Sequence, residues 1–135
     1  MKHSRTILWV AYFAIAALAI ALQADARLLA FDGPYAAGKA LVFLTLVGFV
    51  AYSAYCSARE NIVRTIGTMM GLHWGRQIGI DLYIGATMFV AMIYLHQGAL
   101  VALLWLAPVI IYANMATLLY LAINYDAIVA KLASL

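Results

Sequence analysis

The chain has 135 residues, 68% of them hydrophobic and 10% charged, with a formal net charge of +3. That length is one domain, and the polar residues are too scattered to form a soluble module beside the apolar runs. The basic residues sit at the ends of those runs, where they act as topology signals and contacts for anionic lipid, so the positive balance does not point to nucleic acid. A single cysteine, Cys56, excludes an internal disulfide or a cysteine metal cluster.

Apolar runs at 7–22, 40–55, 78–95 and 99–123 approach or exceed the roughly 20 residues that a helix needs to cross a bilayer. They predict an all-α fold: an integral membrane bundle of four transmembrane helices, one domain over 1–135, with an interfacial amphipathic segment between the second and third. The spans are expected at about 7–24, 38–57, 78–96 and 99–123.

The first span carries Trp9 and Tyr12 near its start, as amphipathic rings favour a membrane interface. Its many alanines allow another helix to come close. Lys2 and Arg5, the apolar run and Ala24-Asp25-Ala26 also imitate a secretory signal cut after Ala26. Retention as a span is the expectation. Residues 25–39 form the outer connection, with a turn at Phe31-Asp32-Gly33-Pro34-Tyr35. Lys39 begins the second span and is expected to snorkel outward.

Residues 58–77 are the expected cytoplasmic segment. Gly67, Gly71, Gly75 and Gly79 recur at every fourth residue, so one continuous helix here would present a smooth glycine ridge for backbone-to-backbone packing. The alternative is a turn-rich loop. Ile62, Val63, Ile66, Met69 and Met70 have the spacing of a helix lying on the membrane surface. Arg64, His73 and Arg76 add polar groups beside them.

Asp81 stands about one turn inside the third span. An ionisable group there is a functional candidate by default, with Arg64, Arg76, Asn124 and Tyr125 as expected partners. The competing reading is an interfacial ion pair that fixes the tilt of the span. Met88, Met92 and His96 share one face; soft ligands of this kind suit copper(I), but methionines at helical spacing are read as packing. His73 and His96 fall on opposite sides of the bilayer and cannot ligate one haem. The short His96-Gln97-Gly98 link predicts a tight hairpin into span four. There Pro108 should kink the helix, Asn114 should seek a partner on a neighbouring helix, and Asp126 should be solvated.

With the N-terminus inside, the inner segments hold Lys2, Arg5, Arg59, Arg64, Arg76 and Lys131, and the outer ones only Arg27 and Lys39. This bias predicts both termini in the cytoplasm, in a bacterial inner membrane. No hydrolase, phosphate-loop or metalloprotease pattern is present, so no catalytic residue, metal or cofactor is assigned. The leading expectation is a non-enzymatic subunit, self-associating or accessory to a larger membrane complex, with lipid, further copies or other membrane subunits as partners. An oligomeric transporter or channel for protons, cations or a small solute using Asp81 is the alternative. A lipid, isoprenoid or quinone-linked enzyme component is a third. The candidate functional residues are Asp81, Arg76, His73, Arg64 and Asn114; the candidate packing residues are Gly67, Gly71, Gly75 and Gly79.

Overall fold

In a computed structural model, which describes residues 2–135, the chain is all-α. The helices are α1 (Lys2–Gln23), α2 (Ala36–Arg59), α3 (Ile62–Met70), α4 (His73–Gln97), α5 (Ala99–Tyr112) and α6 (Asn114–Ala133). Of these, α1, α2, α4 and α6 are long and apolar enough to cross a membrane. The first three follow the hydropathy of the sequence, each extended at one or both ends by polar residues that the apolar runs do not include.

The segment between α2 and α4 is not one helix. Asn61 caps α3 by accepting from the Arg64 N–H at 3.2 Å. The chain then turns at Gly71 and Leu72, and Leu72 is extended. The four-glycine ridge is therefore divided: Gly67 belongs to α3, Gly71 to the turn, and Gly75 and Gly79 to α4. A side chain at Gly75 would run into the Met69 carbonyl, because the end of α3 folds back onto the first turns of α4. Ile62, Val63 and Ile66 remain exposed on α3.

Gly98 joins α4 to α5 with φ +92° and ψ 180°, a conformation open to glycine and strained for other residues. The two helices run antiparallel, and the Tyr83 hydroxyl donates to the Ile110 carbonyl at 2.9 Å. Pro108 lies buried inside α5, which continues past it to Tyr112. The interruption comes at Ala113, which has φ +48° and ψ −119°. In a continuous helix the Ile110 carbonyl would accept from the Asn114 N–H; with the helix broken, Tyr83 supplies the proton instead.

At Ala113 the chain reverses. Near the turn, Tyr112 donates to the Leu8 carbonyl at 2.6 Å, and Tyr12 to the Met115 carbonyl at 3.1 Å. Further along α6, Tyr120 meets His96 at 2.8 Å, Tyr125 donates to the Tyr35 carbonyl at 3.2 Å, and Lys131 to the Leu95 carbonyl at 3.2 Å. Helix α6 thus runs parallel to α1 and α4, back toward the 24–35 connection. This corrects the expected single span over 99–123. Helix α1 starts at one end of the bundle and α6 finishes at the other. At about 1.5 Å per residue, the 14 residues of α5 descend about 21 Å before the return.

Helix α6 is the centre of the fold. Ala116, Thr117, Leu119, Tyr120, Ala122, Ile123 and Asn124 are all buried, against α5 and α4 on one side and α1 and α2 on the others. Its small residues allow this close approach. Tyr120 has no exposed surface and sits among the rings of Phe89, Trp105 and His96, with centroids at 5.8, 5.2 and 6.2 Å in edge-on geometry.

Candidate functional site

His73, Arg76, Gln77, Ile80, Asp81 and Ile84 share one exposed face of α4. They recur at three- and four-residue steps, which places them in one stripe. Arg76 Nη2 lies 2.9 Å from His73 Nδ1. Asp81 is eight residues into α4, about 12 Å from its start. It is exposed, and among the described residues it makes no hydrogen bond or ion pair. At about 100° per residue it points roughly 120° or more away from Gly75, Ala86 and Ile93, the residues of α4 that the fold buries.

Asp81 is not brought to the partners expected for it. Asn124 and Tyr125 lie at the far end of the bundle, because α6 runs the other way from the fourth span the sequence suggested. Arg64 sits in the first turn of α3 and Arg76 turns to His73. Asn114 is exposed at the reversal, where it accepts from Thr117 Oγ1 at 3.3 Å rather than from another helix.

The opposite end of the bundle holds two polar networks that sequence reasoning missed. Lys39, 2% exposed, gives its ammonium protons to Asp126 Oδ2 at 2.6 Å, the Arg27 carbonyl at 2.7 Å and the Ala30 carbonyl at 2.9 Å. Three donors meet three acceptors. Lys39 therefore does not snorkel, and Asp126, 44% exposed, faces water while also bonding within the fold. Beside this clamp, Tyr120 donates to Gln97 Oε1 at 2.9 Å, and Gln23 Nε2 donates to the same oxygen at 3.3 Å. Asn124 Nδ2 donates to the Tyr120 carbonyl at 3.0 Å. Since Tyr120 spends its one proton on Gln97, the contact with His96 Nδ1 requires the imidazole to donate from that nitrogen. The sequence did hold a signal for the clamp: Lys39 and Arg27 share a connection whose carboxylates are Asp25 and Asp32, and Arg27 takes Asp32 at 2.5 Å.

Both networks join helix ends and hold α1, α2, α4 and α6 in register. Neither presents a nucleophile beside a base in a cleft. No group of three or more His, Cys, Asp or Glu side chains converges among the described residues. Comparison with protein-family models, curated proteins and solved structures finds no match.

Proposed function

We propose that the protein is a non-enzymatic membrane subunit that works in an assembly, with the stripe His73–Ile84 of α4 as its contact face. The unpaired carboxylate of Asp81 is the observation that carries this reading. A charge on the lipid-facing side of a span is costly, and such groups are normally covered by protein or water. This fold turns Asp81 away from all its own helices, and in this reading a neighbouring chain supplies the cover. Either a second copy or a different membrane subunit meets that need.

In this reading the start of α1, the end of α2 and all of α3 face the cytoplasm of a bacterial cell. The 24–35 connection and the end of α6 face the other way. The inner side then holds Lys2, Arg5, Arg59, Arg64 and Arg76, and the outer side Arg27, Lys39 and Lys131. The inward bias survives the reversal at Ala113. The alternative, an oligomeric transporter or channel using Asp81, would need that residue at a contact between copies. Pro108 is buried against the core, whereas Asp81 faces outward on a different helix.

The test is mild-detergent native mass spectrometry combined with cross-linking in the membrane from a cysteine at Ile84, in a Cys56→Ser background. A complex larger than the monomer, cross-linked from Ile84 but not from Leu44 on α2, is the expected outcome. A strictly monomeric protein with no cross-link from Ile84 removes the proposal.

A further inference from the structure

Helices α1 and α2 are neighbours in sequence, yet α1 packs on α5 and α6, and α2 on α6. Away from the Lys39 end they are joined by side chains: Arg5 Nη1 donates to the Ser57 carbonyl at 2.8 Å, and Trp9 Nε1 to Ser57 Oγ at 3.1 Å. Behind these bridges runs an open groove of about 380 Å³, walled by Phe13 on α1 and by Val50, Ala51 and Ala54 on α2. That is within the range of about 300–1,000 Å³ usual for small-molecule sites. Trp9 stacks on Phe13 at 5.9 Å and forms one flank.

We propose that this groove seats an anionic phospholipid, with an acyl chain along Phe13, Val50, Ala51 and Ala54 and the phosphate at Arg5. Beyond Arg5, Trp9 and Ser57, the lining offers no side-chain hydrogen-bonding group, which suits a hydrocarbon chain. Alanine at 51 and 54 leaves the channel open where a larger residue would close it. Arg5 commits one nitrogen to Ser57, and its other donors have no acceptor among the described residues. No carboxylate lines the groove. Lys2 opens α1 and Arg59 closes α2 at this same end of the bundle; with Arg5 they outnumber the one carboxylate there, Glu60, which accepts from Thr65, so the mouth is basic. A zwitterionic lipid carries the same phosphate but brings its own cation, and the mouth disfavours it. The site stands apart from the α4 face and does not depend on the subunit reading.

The test is native mass spectrometry of the delipidated full chain in detergent, with phosphatidylglycerol or phosphatidylcholine added. Wild type is expected to retain phosphatidylglycerol about five-fold better, the effect of one basic group at an anionic surface. Arg5→Gln should reduce the preference markedly and Arg5→Lys should keep it, since charge is what reads the lipid; a purely structural bridge to Ser57 would not sort the variants this way. Ala54→Phe should lower retention of both lipids. Equal retention of the two lipids by wild type, or an unchanged preference in Arg5→Gln, overturns the proposal. So does a protein–protein cross-link from Ala54→Cys, which would mean that a helix fills the groove.

Discussion

Lys39 and Asp126 lie 87 positions apart in sequence and meet at 2.6 Å at the end of the bundle where α2 begins. The lysine is buried and the carboxylate half-exposed. The pair ties the 24–35 connection, α2 and α6 together, and it exists only because α6 returns to that end.

Asp126→Ala leaves a buried ammonium with two carbonyl acceptors and no counter-charge. Breaking a fully buried pair costs about 3–5 kcal/mol; with Asp126 partly in water, about 1–3 kcal/mol is expected. Thermal unfolding in detergent should fall accordingly, and the double change Lys39→Met with Asp126→Leu should recover much of the loss. An unaltered midpoint for Asp126→Ala would show the pair to be incidental.

The two glycines Gly75 and Gly67 should respond differently to alanine. A Cβ at Gly75 collides with the Met69 backbone, whereas at Gly67 it meets open space. Gly75→Ala should lift α3 from α4 and raise proteolysis between residues 69 and 73; Gly67→Ala should leave the digestion pattern unchanged. Equal patterns would mean that α3 is not seated on α4.

Tyr120→Phe removes the hydroxyl that serves both His96 and Gln97. His96 is half-buried and Gln97 exposed, with Gln23 still donating to it, so the loss should fall at or below the low end of the roughly 1–3 kcal/mol that a fully buried group would cost, while the ring keeps its contacts with Trp105 and Phe89. Stability should drop with little change in helix content by circular dichroism. A variant as stable as wild type would mean that water replaces the hydroxyl.

Single cysteines at Asp32, Glu60 and Ser134, in a Cys56→Ser background, report the course of the chain. Membrane-impermeant labelling should group Ser134 with Asp32 and oppose both to Glu60. Ser134 grouping with Glu60 would restore a continuous fourth span and sink the reversal.

Helices α1, α2 and α4 were readable because each apolar run ends where charged or turn-forming residues begin: Asp25 and Arg27, Arg59 and Glu60, Gln97 and Gly98. The reversal at Ala113 was not. Alanine is a poor turn residue, Asn114 is a lone polar group in the run, and hydropathy is blind to the direction of travel. From that one position follow the unexpected places of Asp126, Asn124 and Tyr125 within the fold. Pro108 lies inside α5, which continues past it, and the break falls five residues later at Ala113. Asp81 was legible as an ionisable group within a span. Its lack of a partner was not, since that depends on which way each helix faces.

Positive φ at a residue with a side chain costs about 1–3 kcal/mol, and Ala113 carries it at +48°. A β-branched residue there would raise the penalty and favour a straight rod of the full 99–133 stretch. The last twenty residues would then emerge in the opposite compartment, taking Asp126 away from Lys39. The end of the bundle at which the C-terminus finishes therefore turns on one backbone torsion.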